Sequence, residues 1–233
     1  MKSPAFSIVM PHYEGSIPHD RFIQAVSSIK AQSYPLWHLD IYHDGPEISN
    51  QLKEYVQTIC VDPRIKFKAT RQRYNDWGHS LRDIGIHEAK GDYVFVMNSD
   101  NVLYQNALAI LAAYSLWPKT EIKRKDRSGQ LSIHISNPEV LVFGLKMMGM
   151  LFDFTNNRIT RTRGAEEHYQ MILPGWPPKK YFIDAMQLVA KTSLWQKHGG
   201  WWLKTEESDG EIIEKITRSE GCLIIPEVMG EHW

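Results

Sequence analysis

The stretch Gly91-Asp-Tyr-Val-Phe-Val-Met-Asn-Ser-Asp100-Asn101 decides the fold. Residues 93–97 form a short apolar run with β-branched and aromatic members, and the run stops abruptly at small polar and acidic groups. A strand buried on both faces reads this way. Asp100 then falls just past the carboxyl end of the strand, at the rim where open α/β sheets bind their ligands. An acid there can hold a hard cation against a phosphorylated substrate. The same four residues, Asn-Ser-Asp-Asn, also make an ordinary turn, because their side chains hydrogen-bond their own backbone.

Upstream, strand and helix alternate. Residues 6–10 predict a first strand closed by Pro11, which cannot donate to a ladder. From Asp20 onward Phe22, Val26 and Ile29 recur at helical spacing, and Tyr34-Pro35 stops the helix. A second strand over 39–42 ends in the turn chemistry His43-Asp44-Gly45-Pro46, followed by a helix over 48–60, a short strand over 65–67 and a helix over 80–89. This order implies right-handed crossovers and a mostly parallel sheet covered on both faces. Downstream the rhythm changes. A helix is predicted over 105–117, an exposed charge-dense loop over 119–127, strands over 131–135 and 140–150, and a turn-rich connector over 156–164. After the breaker cluster Pro174-Gly-Trp-Pro-Pro178 the chain closes with a helix over 209–219, a strand over 223–225 and a tail ending His232-Trp233.

Length and composition bound the function. With 233 residues, 42% of them hydrophobic, the chain can bury one sizeable core, and one domain over 1–233 is expected. Lys and Arg number 27, as do Asp and Glu, so no global field attracts a nucleic acid or an anionic membrane, and any polyanion site must be local. Cys60 and Cys222 make neither a metal-ligand spacing nor a disulfide framework, which fits a reducing compartment. The amino terminus carries no secretory apolar core, and the longest apolar stretch, 140–152, is broken by Lys146 and falls short of the roughly 20 residues that span a bilayer.

In order along the chain, four segments together resemble the family-2 glycosyltransferases of the GT-A fold. Ser7-Ile-Val-Met-Pro-His-Tyr13 resembles the family's first strand and the turn that meets the nucleotide. Ala31-Gln-Ser-Tyr-Pro35, a strand and His43-Asp44-Gly45 resemble its next signature, in which an Asp contacts the base. Asp83-Ile-Gly-Ile-His-Glu-Ala-Lys-Gly-Asp-Tyr93 resembles the helix that leads into the metal-binding strand. Lys197-His-Gly-Gly-Trp201 and Ser208-Asp209-Gly-Glu-Ile212 resemble the acceptor loop and the acidic motif that bears the catalytic base. Two positions depart from the pattern: Asn98 stands where the metal motif usually has Asp, and Ser208 where Glu commonly precedes the base.

The resemblance implies a Rossmann-like α/β fold with a mostly parallel central sheet flanked by helices and a smaller antiparallel acceptor side. The nucleotide half would span 1–101 and the acceptor half 102–233. It implies a metal-dependent, inverting transfer of a sugar from a nucleoside diphosphate, with a UDP-sugar favoured, to a hydroxyl of a glycan, lipid or other acceptor. Asp100 is the first metal ligand, for Mn2+ or Mg2+, and His232 resembles a carboxy-terminal histidine that folds back onto the metal, although a histidine at a chain end can equally be exposed. Asp209 is the expected base, with Glu211 as the fallback, although an acid at a helix start is also explained by the dipole. Pro11, Tyr13 and Asp44 would meet the nucleotide, with Arg71 or Arg73 approaching base or phosphate and Asn98 or Ser99 the ribose. Trp201 and Trp202 would form an acceptor platform or pack in the core, and Asp184 is another acid near the acceptor. The implied setting is glycan assembly in the cytoplasm, with peripheral membrane contact compatible and no nucleic-acid partner. A sugar-nucleotide-binding relative or partner subunit without activity, and more remotely a nucleotidyltransferase, are the alternatives that Asn98 and Ser208 keep open.

Overall fold

The computed structural model describes residues 2–117, 119–123, 132–153, 155, 158–161, 169–205 and 207–233. The chain runs β1 (Phe6–His12), α1 (His19–Lys30), β2 (Trp37–His43), α2 (Asn50–Ile59), β3 (Ile65–Ala69), α3 (His79–Glu88), β4 (Tyr93–Val96), β5 (Val102–Leu103) and α4 (Ala107–Ser115). It continues through β6 (Lys119–Lys123), β7 (Ser132–Ser136), β8 (Val140–Met148), β9 (Met150–Asp153), β10 (Arg158–Arg161) and β11 (Gln170–Leu173). A 3₁₀ turn (Ala185–Gln187), β12 (Leu188–Lys191), α5 (Thr192–Lys197), α6 (Ser208–Glu220) and β13 (Leu223–His232) complete it.

The central sheet has the order β3-β2-β1-β4-β12-β8-β13-β5, with β11 pairing on β8. Strands β3, β2, β1 and β4 are parallel, β12 runs antiparallel between β4 and β8, and β13 is parallel to β8. This is the mixed α/β architecture expected from the sequence, with helices on both faces. The alternation within β1 shows why. Phe6, Ile8 and Met10 enter one apolar cluster, with Phe22, Val26 and Ile29 of α1, whereas Val9 enters the other, with Leu81 and Ile86 of α3 and Ile212, Ile213 and Ile216 of α6. Each of these buried aliphatic or aromatic side chains contributes roughly 1.5–3 kcal/mol of transfer free energy. All four residues of β4 are buried, as its unbroken apolar run requires.

Several local expectations change. β1 does not stop at Pro11 but runs to His12, still in register with β2. Pro11 lies beyond the last β1–β4 pair, Val9 with Val96, where no neighbour on that side requires an amide. The predicted tail is strand: β13 continues to His232 through register shifts on either side of Val228, the first of them spanning Pro226, which lacks a ladder donor. Strand 140–150 divides at Gly149, whose φ of +65° lies in the left-handed region. Of the expected loop over 119–127, Lys119–Lys123 instead pairs antiparallel with Ser132–Ser136, and 124–127 lie outside the described residues. In the expected connector over 156–164, Arg158–Arg161 pairs with Met150–Asp153, and the remaining positions lie outside the described residues. Among the described residues no helix is long and apolar enough to cross a membrane.

Candidate active site

The carboxyl ends of β1, β2 and β4 open onto a cavity of about 630 Å³, lined among others by Pro11, Tyr13, Asp44, Arg73, Asn98, Ser99 and Asp100. Tyr13, Asp44 and Arg73 also border an adjoining pocket of about 580 Å³ that reaches Glu47 and Ser49. Seven of the residues singled out in the sequence therefore share one cavity. Arg71 does not join them; it is exposed, and Arg73 takes the place at the wall. The Arg73 guanidinium carbon stands 3.8 Å above the Tyr13 ring, and its Nε lies 3.9 Å from Asp44 Oδ2.

Asp44 is more than a turn acid. Its carboxylate accepts the backbone N–H groups of Tyr74 (2.7 Å) and Asn75 (3.0 Å), so it fixes the loop that follows β3. Beneath it His12 and His43 meet Nδ1 to Nδ1 at 2.8 Å. Burial first, and the neighbouring His43 second, push His12 down to about 3, so it is neutral at physiological pH. The next turn is capped by Asp76, which accepts both the N–H (3.1 Å) and the hydroxyl (2.6 Å) of Ser80. Gly78 precedes α3 with φ +80°, and a Cβ there would lie 2.8 Å from Pro11 Cβ. Glycine is the residue that satisfies both conditions.

The organising group at the far wall is Arg82, which the sequence reading did not single out. It is buried, yet it lines the cavity. Its Nη2 donates to Asn98 Oδ1 (2.8 Å) and its Nη1 to the Trp77 carbonyl (2.9 Å), while its Nε has no hydrogen-bond partner. Burial holds its pKa below the ordinary arginine value, against the opposing influence of four carboxylates, in order Asp209, Asp184, Asp76 and Asp100. A signal was present: Arg82 falls three and four residues before Gly85 and Ile86, both buried, so it lies at core-facing spacing on α3.

Asp209 lies in the first turn of α6, where its Oδ1 accepts the N–H of Gly210 (2.8 Å). Burial, then the like charge of Asp184, push its pKa up from 3.8 to about 6, with the Gly210 amide, Arg82 and His232 pulling the other way. Asp184 is held rigidly by a capping box: its Oδ1 accepts the Met186 N–H (2.9 Å), and Gln187 Oε1 accepts the Asp184 N–H (2.9 Å). His232 approaches from β13, its Nδ1 3.3 Å from Asp184 Oδ2 but without a hydrogen bond. Pairing of Gly230 with Leu103 and Glu231 with Val102 brings His232 beside Asn101, one residue from Asp100. Ser208 is buried, and its hydroxyl donates to His79 Nδ1 (3.2 Å). Trp201 Nε1 donates to the same nitrogen (3.1 Å), and burial followed by Arg82 pushes His79 down to about 4, so it is a neutral acceptor.

Two expectations resolve differently. Trp201 is 1% exposed and stacks between His79 and Trp195, so it is a core residue and no acceptor platform. Glu211 is engaged with Lys180 Nζ at 2.7 Å on the outer side of α6. Among the described residues no three His, Cys, Asp or Glu side chains gather into a self-sufficient metal cage. The surroundings of Asp100 nevertheless suit a cation completed by substrate oxygens. Ser99 Oγ and Asn101 Oδ1, on either side of it in the chain, are buried oxygens without a hydrogen-bond partner, and His232 brings an imidazole to the same end of the sheet.

Residues 7–122 match the model of the family described as Glycosyl transferase family 2. No curated protein matches the sequence. Among solved structures, S. aureus TarS 1-349 aligns over 97% of this chain and 60% of its own, with a TM-score of 0.63 and 14% identity. The same protein in complex with UDP-GlcNAc aligns over 98% and 58%, with a TM-score of 0.61 and 13% identity. The mannosyltransferase PcManGT from Pyrobaculum calidifontis, in complex with GDP-Man and Mn2+, aligns over 99% and 57%, with a TM-score of 0.61 and 16% identity. The chain thus spans about 60% of the length of the first of these proteins.

Proposed function

This chain belongs to glycosyl transferase family 2, and from that membership we propose that it moves a sugar from a nucleoside diphosphate, UDP by preference, to an acceptor hydroxyl with inversion. Neighbours of the same fold bound to UDP-GlcNAc or to GDP-Man and Mn2+ support a nucleotide-sugar donor and a divalent ion. One observation carries the reading: a hydrogen-bonded chain runs from Asn98, two residues before Asp100, through the buried guanidinium of Arg82 and the imidazole of His79 to Ser208, the residue before Asp209. A donor diphosphate held at Asp100 and an acceptor hydroxyl at Asp209 would then face each other across a single reacting carbon.

Tyr13 and Arg73 offer a flat wall and a cation at the nucleotide end, and Asp44 an acceptor for a base N–H. Asp100 and His232 would hold Mn2+ or Mg2+ together with diphosphate oxygens. The ion, when bound, supplies charge that neutralises the leaving diphosphate. Asn98, at the position where a second carboxylate is common, serves here as a neutral acceptor for Arg82. Arg82 in turn compensates the acids gathered around it, which leaves Asp209 able to ionise near neutrality despite its burial. With its pKa at about 6, Asp209 is mostly ionised at pH 7 and still basic enough to take the hydroxyl proton as the acceptor oxygen attacks. The seating of Ser208 on His79 fixes the first turn of α6 and hence the direction of the base.

A non-catalytic sugar-nucleotide binder is the second reading, favoured by the single carboxylate in the Asn98-Ser-Asp100 motif. Isothermal titration with UDP and GDP, with and without Mn2+, followed by a donor-hydrolysis assay, separates the two. The proposed enzyme binds UDP more tightly with Mn2+ and slowly hydrolyses a UDP-sugar or GDP-sugar. Binding without turnover of any donor supports the second reading instead.

A further inference from the structure

Trp77 stands on the rim of the cavity with 74% of its surface exposed. Its backbone φ is +53°, in the left-handed region that a bulky residue occupies only at an energetic cost. The loop that imposes this conformation is fastened on both sides. Asp44 holds the amides of Tyr74 and Asn75, Asp76 caps α3 through Ser80, the Trp77 carbonyl accepts Arg82 Nη1, and Gly78 fits closely against Pro11. The fastened loop holds the Trp77 backbone at the rim, and the edge-to-face contact with His79 braces one side of the exposed indole.

Resting on the glycosyltransferase reading above, we infer that Trp77 is a stacking platform for a pyranose ring of the acceptor, and that the acceptor is therefore a saccharide. The direction of its tethers decides between donor and acceptor. Its carbonyl is bound by Arg82 Nη1, which also lies 3.2 Å from His79 Nδ1. Its ring meets His79 edge to face at 6.2 Å, and His79 accepts from Ser208, the residue before Asp209. Both tethers converge on His79 and through it on Ser208, beside Asp209, where the acceptor hydroxyl would be deprotonated. The nucleotide end has its own flat surface in Tyr13, with Arg73 stacked on it. The chemistry matches: one face of a pyranose is a sheet of C–H groups, which packs on the electron-rich face of an indole, while its hydroxyls stay wet at an exposed rim.

The test uses the full chain with saturating UDP and Mn2+ and indole 15N–1H spectra, in which the eight tryptophans give separate signals. Trp77→Phe identifies the Trp77 signal by its loss. Methyl glucopyranoside, galactopyranoside and mannopyranoside are the probes, with sorbitol and n-butanol as comparators. The expected result is a shift of the Trp77 signal with at least one pyranoside and with neither comparator. Trp77→Ala then weakens that pyranoside about tenfold by titration, as expected for a lost aromatic contact, Trp77→Phe restores most of it, and UDP affinity is unchanged in both. A Trp77 signal that moves with UDP and ignores every pyranoside assigns the indole to the nucleotide and overturns the inference. A signal that ignores every pyranoside while UDP perturbs other resonances overturns it and leaves the glycosyltransferase reading standing. If UDP perturbs no resonance, the nucleotide reading fails, and the inference built on it falls too.

Discussion

The nucleotide cavity and the acidic cluster around Arg82 are assembled by different means. In the first hundred residues each of these groups sits at the carboxyl end of a parallel strand or in the loop after it: Pro11 at the end of β1 and Tyr13 after it, Asp44 after β2, Arg73 after β3, Asn98 to Asp100 after β4. At the acidic end Asp184, Asp209 and His232 come from a capped turn, a helix start and a strand end, and the Arg82 cation offsets the mutual repulsion of the two carboxylates. Backbone geometry builds the nucleotide wall, whereas a buried charge balance builds the base. The first should tolerate substitution gradually and the second should fail abruptly.

Arg82→Met gives the sharpest contrast. Removing the cation leaves acids uncompensated in a buried site, a change that typically costs about 3–5 kcal/mol. Asp209 would lose one of the influences that lower its pKa and stay protonated at neutral pH. Chemical denaturation should show the stability loss, and turnover should fall below detection in whatever soluble protein remains. Retained turnover would mean that the two ends are not coupled through this residue.

Asp209→Asn separates function from stability. The elevated pKa means that the folded state holds the Asp209 proton more tightly than the unfolded chain does. Its contribution to stability is therefore present below pH 3.8 and is lost as pH rises through about 6. At pH 7 the ionised group costs the fold about 3 kcal/mol, from the 1.36 kcal/mol that each pKa unit represents. The amide should remove much of that cost and raise the melting temperature while lowering transfer by roughly 10² to 10⁴-fold. Wild-type transfer should rise with pH through about 6 and level off above it, because the ionised form is the active one. A flat profile between pH 5 and 8, or a variant of unchanged stability, separates Asp209 from the role given to it.

The same division explains what could be read in the chain. β4 and the acids after it are legible because a doubly buried strand and its polar stop are written in consecutive residues. Asp209 is legible as a helix-start acid, but neither its burial nor its proximity to Asp184 is, since these arise from α6 and the 3₁₀ turn packing together. Arg82 escapes notice because a charged side chain on a helix is ordinarily solvated. Here its environment is set by Asn98, Asp184 and Asp209, three residues from three later elements. Trp201 reads equally well as platform or core until the positions of His79 and Trp195 are known. β13 looks short because Pro226 interrupts the ladder where the sheet accommodates a bulge.

On the nucleotide side Asp44→Ala should produce an intermediate effect. Both carboxylate oxygens hold loop amides, and hydrogen bonds to a charged group contribute about 1.5–3 kcal/mol each. The loop is partly exposed, so water replaces some of that, and a stability loss of about 1–2 kcal/mol is expected. The loop also carries Arg73 and Trp77, so KM should rise for donor and acceptor together, whereas Trp77→Ala alone should affect the acceptor. A rise for the donor only would mean that the loop keeps its shape without the clamp.

The smallest effect distinguishes two arginines that the sequence alone leaves equivalent. Arg73 is nearly half exposed, and its stacking on Tyr13 is of the kind that contributes about 0.5–1 kcal/mol at such sites. Arg73→Ala should therefore weaken UDP by roughly two- to fivefold. Because the binding is partly ionic, that penalty should shrink as salt is raised. Arg71→Ala, at an exposed position away from the cavity wall, should leave UDP affinity and the melting temperature at their wild-type values. Titration of the two variants at low and high salt decides the matter. If Arg71→Ala weakens UDP more than Arg73→Ala does, the Tyr13–Arg73 stack opens when the nucleotide arrives, and the nucleotide wall is less fixed by its backbone than the contrast with the acidic end requires.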